Sequence, residues 1–305
     1  MTTPNYYYKL YGLTVSSELP LQEANELCET FSPQDIDVTI RLTPPPASVL
    51  ESAHGGQVDY LTEEVMWFYL KDMVLFYTEK GNLIHVWIED PTLPAKSITA
   101  YLLGSAFSLI LMQRGILPIH GSSLRCNDSA FIISGGSGSG KSTTTFNMMN
   151  MGYDFLSDDI SAVSYQDGQA FLHPGPPWQK LCRNIVEADA HPEKYIYIDE
   201  HRGKYARKLD NDYSCNTYRL LHMFIITVGT TSAPSLRKLE GIEKLHFLTN
   251  NLYRGEIYHR FGLSPQRKQL FLDIISHINM YVITRPALGD STTAVARLIN
   301  ETLLS

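Results

Sequence analysis

The segment Gly135–Ser142, GGSGSGKS, fits G-x-x-x-x-G-K-[ST] and constrains the chain more than any other stretch. It follows AFIIS (130–134), an apolar run that predicts a buried strand. It leads into KSTTTFNMMNM, which predicts a helix stopped by Gly152. Strand, glycine loop and helix in that order point to an α/β layer. Glycines let backbone N–H groups turn inward around an anion, and the helix N-terminus adds positive potential. The pattern assigns Gly135, Gly136, Ser137, Gly138, Ser139, Gly140, Lys141, Ser142 and Thr143 to the phosphates of a nucleotide. Lys141 would reach the β and γ phosphates, and the Ser142 hydroxyl would complete a Mg²⁺ shell. A glycine-rich turn with an incidental lysine is the plainer alternative, and the flanking strand and helix argue against it.

Two further features lie close by. Asp158 and Asp159, in YDFLSDDISAVSY, come 17 residues after Lys141 at the nearer of the two. That interval holds one short helix and a turn, so the pair is expected on a strand near the loop. Two carboxylates can divide labour, one holding Mg²⁺ and the other accepting a proton from an attacking hydroxyl. Taken alone, a solvated turn is the better reading of Asp-Asp; beside the glycine loop the functional one is. Upstream stands LPIHGSSLRCNDSAFIIS, read as two strands joined by a turn near Asn127-Asp128. Antiparallel pairing about that turn sets His120 opposite Gly135, where it could orient or charge-balance an aspartate. A histidine bonded to backbone at a strand end is the alternative.

The rest of the chain divides in two. Residues 1–92 read as a small β-rich domain. IDVTIRL alternates with Ile36, Val38, Ile40 and Leu42 on one face; MWFYL and MVLFYT form a hairpin about Lys71-Asp72; Lys80-Gly81-Asn82 turns into LIHVWIE. Pro44-Pro45-Pro46 is expected in a linker or edge loop. Residues 93–305 read as a mixed α/β domain, opened by a helix over 95–114 and closed by STTAVARLINETLL, with Val295, Leu298, Ile299 and Leu303 on one face. Ile98–Met112 falls short of the roughly 20 apolar residues of a membrane span, so a buried core helix is expected.

A formal charge of −7 argues against general binding to nucleic acid or anionic membrane. Four cysteines far apart, without a C-x-x-C pair, fit a reduced, cytoplasmic setting, and the N-terminus does not have the build of a signal peptide. The basic run HRGKYARK (201–208), with Lys180 and Arg183, is a candidate grip for phosphate or an acidic peptide; Lys180, Lys204 and Arg254 are the candidate substrate contacts, with Arg285 another cation that nothing orients. Asp199 and Glu200 are a further metal-ligand candidate. A charge run is more often a solvated loop.

Taken together, G-x-S-G-x-G-K-S over 135–142, a preceding H-G-x-S (His120–Ser123) and a following Asp158-Asp159 resemble the catalytic domain of HPr kinase/phosphorylase. They are similar also to phosphoenolpyruvate carboxykinase. The match spans roughly 45 residues. It implies a P-loop kinase domain of that fold, ATP and Mg²⁺ as cofactors, and phosphoryl transfer to a hydroxyl. By the same resemblance Asp158 and Asp159 act in catalysis with His120, one aspartate as base, while Ser142 and Asp159 are assigned to the metal. The E-x-R-G-L-G-type segment of true HPr kinases is not found. The opening YYYKLYGLTVSSELPLQE, with HPGPPWQKL and GKYARKL, resembles instead the HPr-kinase-like proteins encoded with lasso-peptide biosynthesis genes. That branch implies a precursor peptide as partner and its serine, typically the C-terminal one, as acceptor. A carrier protein, a small metabolite, or a nucleotide sensor that transfers nothing are the alternatives, and a homo-oligomer is left open.

Overall fold

The computed structural model describes residues 5–24, 27, 32–188, 191, 194–199, 204–209, 216–261 and 264–305. The chain forms two compact units, Met1–Leu117 with Glu256–Gly262, and Pro118–Gly255 with Leu263–Ser305.

In the first unit, seven strands make one mixed sheet: β1 (Tyr6–Leu10), β2 (Leu13–Ser17), β3 (Val38–Arg41), β4 (Asp59–Leu61), β5 (Val65–Leu70), β6 (Val74–Glu79) and β7 (Leu83–Ile88), in the order β1-β2-β3-β7-β6-β5-β4. The hairpins arise where the sequence places them. Leu10 pairs with Leu13 across Tyr11-Gly12, both at positive φ, the backbone that two-residue hairpins require. Leu70 pairs with Val74, and Glu79 with Leu83 across Lys80-Gly81-Asn82. In β3, Val38 and Ile40 are fully buried while Leu42, expected on the same face, lies beyond the strand and is exposed.

Strand β6 is buried on both faces, which is why VLFYT reads as a continuous apolar run. Leu75 and Tyr77 pack with Trp67, Tyr69 and Ala53 of helix α1 (Ala47–His54). Helix α2 (Ala95–Tyr101), a π turn at Leu102–Ala106, and α3 (Phe107–Gln113) make one continuous 19-residue rod whose second half packs on β6. By length and composition that rod could cross a membrane, yet 67% of its apolar window is buried within the fold, as a core helix requires. The rod lies in the first compact unit, which runs to Leu117.

The second unit begins with the hairpin β8 (Leu117–Cys126) and β9 (Ser129–Gly135), turned at Asn127. Helix α4 (Lys141–Asn150), β10 (Asp154–Ser157), β11 (Ile160–Gln166) and β12 (Gln169–His173) follow. A separate three-stranded sheet then holds β13 (Trp178–Cys182), β14 (Ile196–Asp199) and β15 (Lys204–Lys208), with α5 (Arg183–Ala188) after β13. The chain continues through β16 (Tyr218–Gly229), β17 (Ser235–Lys238), α6 (Ile242–Asn250), α7 (Gly255–Phe261), α8 (Pro265–His277), β18 (Asn279–Pro286) and α9 (Thr292–Leu304). The main sheet runs β10-β8-β11-β12-β16-β18-β17, with β9 paired to both β8 and β16. The fold is thus mixed α/β, with several mixed sheets.

Strands β9, β16 and β18 are mutually parallel and carry the core. Phe131, Ile133, Phe224, Ile226 and Ile283 pack against Met148 of α4 and Val295, Ala296 and Ile299 of α9, each at most 1% exposed. Fully burying such a side chain stabilises by roughly 1.5–3 kcal/mol. The parallel strands end together, bringing Gly135, Val228 and Arg285 toward one edge of the sheet. In open α/β sheets ligands bind outside the carboxyl ends of such strands.

Candidate active site

The glycine loop occupies that edge. Gly135 (φ 140), Gly138 (φ 76) and Gly140 (φ 100) all have left-handed or otherwise positive φ, and Gly140 directly precedes α4. At Gly135 a side chain has no room, because a Cβ would lie 2.3 Å from the Ile226 carbonyl and 2.8 Å from Ser139 Oγ. Gly136, Ser137 and Gly138 form an exposed crest, while Ser142 and Thr143 are half-buried in the first turn of α4, near its electropositive end. Lys141 Nζ donates to the carbonyls of Gly135 (2.7 Å) and Gly136 (3.0 Å), so its charge lies over the entry to the loop. The Ser139 and Thr144 hydroxyls are buried without a hydrogen-bond partner. The cradle, the cation and the helix end suit a polyphosphate.

The hairpin register is the one the sequence implies. Gly121 pairs with Ser134, which sets His120 level with Gly135. Gly121 is itself required, since a Cβ there would come 2.7 Å from the Ile133 carbonyl. His120 is held from its other side by the 251–253 segment, which sequence reasoning missed. His120 N donates to Asn251 O (2.7 Å), Tyr253 N donates to Pro118 O (2.9 Å), and Ser134 Oγ lies 2.6 Å from His120 O and 2.9 Å from Asn251 Oδ1. The Tyr253 ring sits 6.0 Å from the imidazole.

The aspartates occupy the tight turn between β10 and β11, not a strand. Asp159 has φ 70, a conformation Asp tolerates better than most residues and one that no strand permits. Asp158 is fixed by two neutral donors: Ser122 Oγ to Oδ1 at 2.6 Å and Lys180 N to Oδ2 at 2.8 Å. Asp159 faces charge instead. Lys180 Nζ lies 2.9 Å from Oδ2, and His120 Nδ1 lies 3.6 Å from Oδ1 and 3.1 Å from the Asp159 carbonyl. A carbonyl can accept but not donate, so Nδ1 carries the imidazole proton and Nε2 remains an acceptor.

Electrostatics link these groups. Burial lowers the His120 pKa and the nearby Lys141 ammonium lowers it further, while Asp159 and Asp158 pull the other way without prevailing. Burial also depresses Lys180, but Asp159, and then Asp158, more than offset it and hold the ammonium charged.

Lys180 therefore belongs to the aspartate turn, joined to one carboxylate by its backbone and to the other by its side chain. The side chains of Lys204 and Asp199, and His201, Arg202 and Glu200, lie outside the described residues. Arg254 is exposed at a left-handed turn (φ 55), and it is the ring of its neighbour Tyr253 that stands beside His120. Arg207, from the basic run, is not a solvated charge: it packs over Phe146 (5.0 Å) and Tyr195 (5.8 Å) and donates to Gln179 Oε1. Arg285 grips the glycine loop, donating to Ser139 O (2.7 Å) and Gly138 O (3.0 Å).

Mg²⁺ prefers oxygen ligands and is commonly held through one or two carboxylates together with substrate phosphates. Asp159, Asp158 and the Ser142 hydroxyl are of that chemistry. Among the described residues no three His, Cys, Asp or Glu side chains converge to cage a metal by themselves.

No family model matches the sequence, and no curated protein matches it. Among solved structures, the chain is similar to a structure of the Hpr(Ser) kinase/phosphatase from Coxiella burnetii, with 15% identity, 61% of this chain and 96% of that chain covered, and a TM-score of 0.32.

Proposed function

We propose that the chain is an ATP- and Mg²⁺-dependent kinase of HPr-kinase-like type, transferring the γ-phosphoryl group to a serine hydroxyl of a ribosomal precursor peptide. One observation carries this: Lys141, Asp158 and Asp159 each lie within electrostatic reach of His120, beside the strand that feeds the glycine loop. A nucleotide-binding scaffold has use for the loop and one metal ligand. It has no use for a second carboxylate fixed in place by neutral donors.

The roles follow from the partners. Among the described residues Asp158 takes one neutral donor on each oxygen and bonds no cation, which suits a base. Asp159, already seated on a cation through Lys180, suits the metal together with Ser142. Bound Mg²⁺ would neutralise charge on the β and γ phosphates. His120, its proton on Nδ1, orients Asp159. In the reaction the serine oxygen forms a bond to γ phosphorus as the bond from phosphorus to the β–γ bridging oxygen breaks. The serine proton passes to Asp158, and ADP leaves with the electron pair. The acceptor rests on the resemblance of residues 6–23 and of the HPGPPWQKL and GKYARKL segments to the HPr-kinase-like proteins encoded with lasso-peptide biosynthesis genes.

The test is mass spectrometry of a lasso precursor peptide after incubation with the protein, ATP and Mg²⁺. One added phosphoryl group, lost with Lys141→Ala and with a peptide whose terminal serine is alanine, supports the proposal. ATP hydrolysis or binding without a gain in peptide mass overturns the peptide as acceptor and directs attention to a carrier protein or a metabolite.

A further inference from the structure

The glycine loop has few means of holding its own shape. Three of its glycines sit at positive φ and its crest carries no packed side chain, so ordering it costs more backbone entropy than ordering any other eight residues here. To present N–H groups inward it must turn carbonyls outward, and a side-chain donor, unlike water, fixes the direction of such a carbonyl. Two side chains supply such donors. Lys141 covers Gly135 O and Gly136 O, and Arg285 covers Gly138 O and Ser139 O.

These supports differ in permanence. Lys141 is the lysine of the glycine motif itself, so an arriving phosphate competes for its ammonium and draws it from the carbonyls. Arg285 reaches the loop from the end of β18 and is no part of the motif. There its third nitrogen donates to Pro286 O (2.9 Å), and its backbone is in register with Val228 of β16. The last glycine of the loop lies close to the same segment: a Cβ on Gly140 would meet Thr292 Cγ2 at 3.3 Å and Arg285 Nε at 3.6 Å. Thr292 is in turn tied to Asp290 through its N–H and its hydroxyl, at 2.9 Å and 2.7 Å.

We infer that Arg285 is a positioning residue for nucleotide binding, whose guanidinium keeps the Gly138 and Ser139 carbonyls turned outward when Lys141 moves to the phosphates. The inference rests on the proposed ATP site and names a residue of it that the glycine motif does not contain. A planar fork with fixed donors can span two successive carbonyls; a lysine, a point charge on a flexible stem, cannot do so with the same order.

The test compares wild type, Arg285→Ala and Arg285→Lys in two measurements. The first is amide hydrogen exchange over residues 136–140 without nucleotide, which should quicken in both variants while β16 and α9 stay protected. The second is Mg-ATP affinity and steady-state kinetics. Loss of such a support is expected to weaken Mg-ATP binding about 10- to 100-fold, raising KM with kcat little changed, and less so in the lysine variant. Unchanged exchange, or faster exchange with unchanged affinity, would overturn the inference. A fall in kcat alone would do the same, since it would place Arg285 at the transition state. If Arg285→Ala does not fold, the lysine variant decides. Should wild type itself fail to bind Mg-ATP, the proposed function falls and takes this inference with it, whereas normal wild-type binding with indifferent variants sinks the inference alone.

Discussion

The glycine loop and the aspartate turn each follow a strand of one sheet and use left-handed backbone, yet they are held by opposite means. The loop is held through its backbone: its own Lys141 and, from β18, Arg285 bond its carbonyls, and its other side chains do little. The turn is held through its carboxylates, with Ser122 on Asp158, His120 on Asp159 and Lys180 on both. A site of the first kind adapts to any ligand with the right charge and shape. The second kind fixes two charged groups in space, as a proton acceptor or metal ligand requires. The contrast predicts that binding and chemistry separate by mutation.

The largest effect is expected at the turn. Asp158→Asn keeps an acceptor for Ser122 or Lys180 but removes the negative charge, and turnover should fall about 100- to 10,000-fold, the usual contribution of a general base. Mg-ATP affinity should stay near wild type. Asp159→Asn should lower both, because it also surrenders a metal ligand. Steady-state kinetics beside calorimetric titration of Mg-ATP separates the two variants. If Asp158→Asn abolishes nucleotide binding while retaining turnover per bound nucleotide, the division between loop and turn is wrong.

Next comes the loop lysine. A hydrogen bond to a charged group is worth about 1.5–3 kcal/mol, so Lys141→Ala should weaken ATP affinity roughly 10- to 150-fold. Adenosine, without phosphates, should bind both proteins alike. A uniform loss for ATP and adenosine would mean that the substitution had disturbed the fold.

How much of this was legible in the sequence depends on chain separation. The Leu70–Val74 and Gly121–Ser134 pairings follow from adjacent strands and a turn, so the level of His120 beside Gly135 could be read from hairpin arithmetic. The aspartate turn could not, because IleSer-type strand residues after Asp159 look the same whether a strand begins at 158 or 160. What selects the turn is Asp159 at φ 70 beneath Gly121, a tertiary circumstance. Arg285 lies 146 positions from Ser139, and Asn251 lies 117 from Ser134. No local pattern points either residue at the loop or at His120. Likewise the apolar run 98–112 read as a core helix, while its membership of the first sheet's unit needed the contacts of β6.

A smaller, sharper contrast lies within the loop itself. Gly135→Ala forces a Cβ to 2.3 Å from the Ile226 carbonyl at a φ of 140, whereas Gly136→Ala meets nothing within 4 Å and has no positive φ. Strain of this kind costs of order 1–3 kcal/mol. Thermal melts should therefore show a lower Tm for the first variant and no loss for the second. Equal melting temperatures would mean that β9 and β16 can part at their ends without cost.

The smallest effect concerns His120, where both regions meet. Its pKa is depressed in the fold, so on acidification the unfolded chain, titrating near 6.5, takes up the proton first. Stability is then fully present above that value and is lost as pH falls through it toward the folded pKa. His85, His173 and His222 are shifted the same way by burial, so the wild-type melting temperature should fall on acidification below neutrality, and His120→Asn should fall less steeply. The assignment to the two regions is checked by following the His120 resonance in an NMR titration. Lys141→Ala removes a repelling cation and should raise its pKa, while Asp159→Asn removes the strongest attraction and should lower it. Opposite movements locate the imidazole between loop and turn; a shift in one variant alone would tie it to that region and leave the other without a histidine.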